Sequence, residues 1–157
     1  MRAPLSAVLA AAAVLAALTS AAPAAAKPCG LSPKQVVTRF MDEFYTRKQV
    51  RSAFERWVDP DYIQHNPMAA TGRDAAIAFL EPFFAANPAV RYDIKRVIAD
   101  GNLVVVHSQG WLGVSGSGGG NGVAVVDILR VQGCKIMEHW DVVQPVPDTA
   151  ANQNGMF

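Results

Sequence analysis

Four ionisable residues interrupt apolar runs in the second half of this chain. His107 follows Leu103-Val104-Val105-Val106, and Asp127 stands between Val123-Ala124-Val125-Val126 and Ile128-Leu129. His139 and Asp141 lie within Ile136-Met137-Glu138-His139-Trp140-Asp141-Val142-Val143. A carboxylate in an apolar strand is costly unless it faces a polar or wet cavity. Strand side chains alternate, so His139 and Asp141 share one face while Glu138 and Trp140 share the other. His107, Asp127, His139 and Asp141 are therefore candidates to line one pocket, with His65 arriving at its mouth from the segment 61–67. Carboxylates in a partly dry cavity hold protons more tightly, and imidazole titrates near neutrality. Such a set suits removal of a proton from carbon beside a carbonyl and its return elsewhere.

Each residue also has a purely structural reading: His107 as a core histidine bonded to backbone, Asp127 as a cross-strand partner of Arg130, Arg96 or His139, and Asp141 as a cap on the sheet end. A metal site is not expected, because the spacings between His65, His107 and His139 match no local ligand motif. The segment 113–122 has six glycines in ten residues. It lacks G-x-x-x-x-G-K-[ST] and precedes a strand, so it reads as a hairpin loop rather than a phosphate cradle.

Elements must position these groups. Ser32-Pro33-Lys34-Gln35 is a capping box with proline at the first helical position. Val36, Val37, Phe40, Met41 and Phe44 follow at helical spacing, with Arg39, Asp42 and Glu43 on the other side. A short helix is expected over 48–57, with Val50, Ala53, Phe54 and Trp57 inward. A brief extended segment over 61–67 then ends in a turn at Asn66-Pro67. A third helix over 74–86 presents Phe79, Leu80, Phe83 and Phe84, and Asn87-Pro88 stops it.

Four strands follow, over 90–99, 103–112, 123–131 and 135–143. Helices followed by strands imply an α+β domain with helices on one face of a curved antiparallel sheet. Register decides whether Asp127 joins the set. A three-residue loop, Gln132-Gly133-Cys134, places Asp127 opposite His139. A two-residue loop turns the side chains over and sets Asp127 with Glu138 instead. Gln-Gly is a weak two-residue turn, which favours the longer loop.

The first 26 residues stand apart. Met1-Arg2, an Ala/Leu/Val run and Ala24-Ala25-Ala26 compose a secretion signal cleaved before Lys27, with an uncleaved anchor as the alternative. The expected organisation is a leader over 1–26, a domain over 27–147 and an irregular tail over 148–157, secreted or periplasmic after cleavage. Removing Arg2 balances the basic and acidic groups, so nothing favours a nucleic-acid partner, and cleavage leaves no membrane anchor. Cys29 and Cys134 survive the cut, and two thiols in an oxidising compartment usually pair, two free thiols being the alternative.

Two aromatic-rich helices, Tyr62-Ile63-Gln64-His65-Asn66-Pro67, a helix after Gly72, and Gly133-Cys134-Lys135-Ile136-Met137-Glu138-His139-Trp140-Asp141 resemble the SnoaL-like polyketide cyclase branch of the NTF2-like superfamily. The resemblance covers roughly 31–147. It implies a cone: a strongly bent sheet enclosing an apolar pocket, closed by helices. It also implies cofactor-independent acid–base chemistry, of aldol cyclase, lyase or isomerase type, on a small hydrophobic carbonyl compound. Asp141 is then the base, with His65, His107 and Asp127 in support and His65 or His107 holding the oxyanion. His139, Tyr62, Asn66 and Trp111 are the candidate substrate contacts. The branch also implies a homodimer through the exposed sheet face. Fold does not settle function, so a non-catalytic secreted module that binds a small ligand or self-associates is the alternative.

Overall fold

The computed structural model describes residues 30–113 and 119–157. The expected leader, Cys29 and the middle of the glycine-rich loop lie outside the described residues. Helix α1 (Pro33–Met41) starts as expected, with Ser32 and Gln35 capping one another reciprocally. Its residues Val36, Val37, Phe40 and Met41 are buried.

Beyond Met41 the helix widens over Asp42–Thr46, where the Arg47 N–H reaches back to the Asp42 carbonyl at 3.0 Å. The wider turn buries Glu43, Phe44 and Tyr45 in succession. Glu43, expected on the polar side, is therefore inside, accepting from Trp57 Nε1–H (3.1 Å) and Arg56 (2.9 Å). Helix α2 (Val50–Trp57) buries Val50, Ala53, Phe54 and Trp57, the four residues its spacing predicts.

Strand β1 (Val58–Gln64) follows directly, beginning and ending three residues before the extended segment expected over 61–67. Helix α3 (Arg73–Ala86) buries Ala76, Ile77 and Phe84, whereas Phe79 of its expected inward face is 57% exposed. Strands β2 (Arg91–Asp100), β3 (Leu103–Trp111), β4 (Val123–Gln132) and β5 (Lys135–Pro145) then run as consecutive antiparallel neighbours.

The sheet order is β1-β5-β4-β3-β2, with β1 lying parallel to β5. The departure from an all-antiparallel sheet has a simple cause. The chain leaves β1 through α3 and three strands before it returns as β5, so no hairpin dictates the pairing, and a long connection permits parallel strands.

The helices cover one face of the sheet, meeting Val104 and Val106 of β3, Leu129 and Val131 of β4, and Ile136 of β5 in a single core. Register shifts interrupt β2–β3 between Ile94 and Arg96, and β4–β5 between Arg130 and Val131, and bulges of this kind bend a strand. After β5 the tail is irregular and returns across the outer face, where Phe157 stacks on His107 at 5.4 Å. Among the described residues no helix is long and apolar enough to cross a membrane.

Candidate functional site

The last hairpin has a two-residue turn: Gln132 pairs with Lys135, not Val131 with Lys135 as expected. Turned over by this turn alone, Asp127 would be carried away from His139 and Asp141. A bulge at Met137 prevents it. Val131 pairs with Ile136 but Arg130 pairs with Glu138, and this extra residue restores the parity. Asp127 thus stands opposite Asp141 rather than His139, and still on the inner face with both.

The inner face opens on a cavity of about 160 Å³ between sheet and helices. Its walls are aromatic and aliphatic, Phe44, Tyr45, Phe54, Tyr62 and Tyr92 among them, and Phe79 sits at its edge. No lysine or arginine is among the described residues that line it. The polar groups gather on one wall. His139 Nε2 lies 3.0 Å from Asp127 Oδ1, and Asp127 is 2% exposed. The Tyr45 hydroxyl donates to Asp127 Oδ2 at 3.5 Å, its ring stacked on Tyr92 at 3.7 Å.

The turn after β1 orients this wall. The Met68 N–H donates to Asn66 Oδ1 (2.8 Å), so Asn66 Nδ2 faces Asp141 and donates to both carboxylate oxygens, at 2.7 and 2.9 Å. The Asn66 N–H donates to Gln64 Oε1 (2.9 Å), which fixes that atom as an acceptor. His139 Nδ1, 3.0 Å from the same oxygen, must then carry a hydrogen. One further proton, or another cation, has to lie between His139 Nε2 and Asp127 Oδ1, since two lone pairs would repel at that distance.

Gln64 Nε2 donates in turn to the Tyr62 hydroxyl at 3.0 Å. That leaves the Tyr62 hydrogen to donate elsewhere. Burial first, then the charges of Asp127 and Asp141, push the Tyr62 hydroxyl well above its ordinary range. Tyr45 is raised by burial and by Asp127, and Tyr92 likewise, so all three hydroxyls remain donors.

Three of the expected site residues lie elsewhere. His107 points to the outer face, because Val104, Val106 and Ser108 take the inner positions of β3. Burial lowers its pKa, as do Arg96 and Lys95 beside it. Trp111 shares that outer face, with the Arg91 guanidinium 3.4 Å over its ring and its Nε1–H on the Gly120 carbonyl. His65 also faces outward, 2.8 Å from Glu138 Oε1 and stacked on Trp140 at 4.5 Å. Asp141, Asp127, His139, Tyr62 and Asn66 are brought together.

Gln64, Tyr45 and Tyr92 are additions. Alternation could have found Gln64, since Tyr62, Gln64 and Asn66 share one face of an extended segment and His65 the other. Nothing local marks Tyr45, whose place depends on the widened helical turn.

Asp127, His139 and Asp141 offer one ligand atom each within 4.8 Å of one another. The constellation supplies a hydrogen-bonded carboxylate, a proton held between imidazole and a second carboxylate, and a tyrosine hydroxyl, all facing an apolar cavity.

The comparisons agree with this architecture. No curated protein matches the chain. A provisionally assigned SnoaL-like polyketide cyclase from Jannaschia sp. CCS1 is 24% identical, with a TM-score of 0.58 over 71% of this chain and 84% of its own. An NTF2-like protein of unknown function from Cytophaga hutchinsonii is 15% identical, with a TM-score of 0.57 over 73% and 92%. An uncharacterised cystatin-fold protein from Novosphingobium aromaticivorans is 19% identical, with a TM-score of 0.61 over 72% and 99%. Residues 37–139 match the SnoaL-like domain, a stretch that runs from α1 through His139 and takes in the turn after β1; the chain belongs to that family.

Proposed function

We propose that the protein is a secreted, cofactor-independent acid–base catalyst of lyase or isomerase type, acting on a small hydrophobic carbonyl compound. The observation that carries this reading is the division of labour on the cavity wall. Asp141 accepts from Asn66 Nδ2 at both oxygens and faces the cavity, whereas Asp127 and His139 hold one proton between them. Asp141 takes the proton from carbon beside the carbonyl, and the C–H electron pair enters the enolate. The charge on the carbonyl oxygen is met by the Tyr62 O–H or by the proton of the Asp127–His139 pair, not by His65 or His107. The enolate carbon then attacks an electrophile in the same molecule, as an aldol closure requires, or takes a proton at another position.

Deuterium incorporation tests this across a panel of carbonyl compounds and needs no single named substrate. The mature protein and Asp141→Asn are incubated in heavy water with ketones, enones and β-dicarbonyls, and mass spectrometry reads exchange beside the carbonyl. Exchange that depends on Asp141 supports the reading. No enzyme-dependent exchange across the panel, with ligands retained by the protein, favours the binding module instead.

Export through the leader and a Cys29–Cys134 bridge belong to the same proposal. Cys134 sits in the β4–β5 turn, so the bridge would tie the mature N-terminus to the strand that carries His139 and Asp141. Thiol counting on denatured protein, with and without reductant, checks it. The outer face offers a row for self-association, Ile98–Val105–Ile128–Trp140, aligned across four strands, and light scattering reads the outcome.

A further inference from the structure

We infer that Asp127, His139 and Asp141 form a binding site for one divalent transition-metal ion of the Zn²⁺ and Co²⁺ class. The three histidines whose spacing argued against a metal are indeed dispersed, with His65 and His107 on the outer face. His139 instead meets two aspartates from facing strands, its Nε2 and one oxygen of each carboxylate within 4.8 Å of one another. A set of one imidazole nitrogen and two carboxylate oxygens suits first-row ions. Ca²⁺ and Mg²⁺ prefer oxygen alone, and Cu(I) prefers sulfur.

Two further features of the wall point to a cation. First, His139 and Asp127 are each held from behind on an atom the metal does not need, and Asp141 is oriented by Asn66 through both of its oxygens. Gln64 Oε1 fixes the Nδ1–H tautomer and turns Nε2 inward, Asn66 orients Asp141, and Tyr45 reaches the second oxygen of Asp127. Outer partners of this kind orient the ligands of metal centres. Second, Asp127 and Asp141 are direct partners across β4 and β5, and like charges so placed repel. No lysine or arginine lines the cavity among its described residues, and one proton beside His139 offsets only one of the two carboxylates. A divalent ion offsets both. With three protein ligands, its remaining positions face the cavity and are open to water or ligand.

The inference does not rest on the acid–base reading, which describes the metal-free protein; an ion on Asp141 would hold that base out of the reaction until it is removed. The test is calorimetric titration of the chelator-treated mature protein with ZnCl₂, and with CoCl₂ followed by visible absorption. The expected result is one ion per chain, with His139→Ala weakening binding by about 100-fold and Gln64→Ala by about tenfold. Asp141→Asn, which keeps the side-chain shape, serves if His139→Ala does not fold, and it too weakens binding. His65→Ala and His107→Ala leave the isotherm unchanged. The inference is overturned by the absence of saturable binding, by binding that survives Asp141→Asn intact, or by binding that disappears with His65→Ala or His107→Ala. Failure here with exchange retained sinks the metal site alone; metal binding with no exchange by the chelator-treated protein sinks only the catalytic proposal.

Discussion

Neighbouring residues of β5 carry the same chemical pair on opposite faces of the sheet. Inside, His139 lies 3.0 Å from Asp127; outside, Glu138 lies 2.8 Å from His65. The distances are alike but the settings differ. The inner side chains are 13% and 3% exposed and face an aromatic cavity, where Asp141 is the one other acidic or basic group among the described lining residues. The outer histidine is 39% exposed, and Glu138 also takes Arg130 Nε–H at 2.7 Å. A proton held inside is shielded from water and can be delivered to a ligand, whereas one held outside exchanges with bulk and is screened by salt. Contact geometry alone does not mark a site. The dielectric around it does.

The largest expected effects separate the faces by activity. Asp141→Asn lowers enzyme-dependent deuterium exchange by about 10²- to 10⁴-fold, the range of a lost general base. His65→Ala and His107→Ala leave it unchanged. A drop with either outer histidine, read in the same assay with folding checked by circular dichroism, would break the comparison.

Stability divides the faces next. Asp127→Ala leaves His139 facing an empty position in a buried setting and costs about 3 kcal/mol. Urea unfolding measures it. Glu138→Ala on the outer face moves the midpoint little, because solvent replaces its partners. Equal losses from the two substitutions would mean that burial does not separate the pairs.

Tyr62→Phe sharpens the inner account. It removes the hydrogen that Gln64 leaves available for the carbonyl oxygen, and a lost oxyanion donor costs about 10²-fold in turnover. Exchange at the wild-type rate would move the oxyanion role wholly to the Asp127–His139 proton.

Much of this was legible in the sequence. Ser32 and Gln35 announce α1, the apolar spacing of α2 holds residue by residue, and the SnoaL-like resemblance is borne out over 37–139. What was not legible is parity. Strand β3 is apolar on both faces, since Leu103 and Val105 flank Val104 and Val106, so no alternation says which way His107 points. The bulge at Met137 has no local signature, and without it the two-residue turn would have put Asp127 on the wrong side. Tyr45 depends on a widened turn that the same residues could have bypassed as a regular helix. Bulges, widened turns and parallel pairing are set by long-range packing, and these place the cavity wall.

The smallest effect concerns the outer pair and pH. The hydrogen bond from His65, then that from Arg130, holds the Glu138 carboxyl below the usual carboxylate range. A carboxylate whose pKa is lower folded than unfolded contributes stability in full above its unfolded pKa, and the contribution disappears as pH falls through the folded value. Wild-type protein therefore loses a little more melting temperature than Glu138→Gln between about pH 6 and pH 3, the span of ordinary carboxylate titration. Added salt narrows that gap, because the pair is on the solvent side. His65→Ala narrows it too while leaving the Arg130 contribution, which separates the imidazole from the guanidinium. An acid limb that ignores both salt and His65→Ala would assign the pH dependence to the inner carboxylates, and the outer pair would then be a contact without electrostatic consequence.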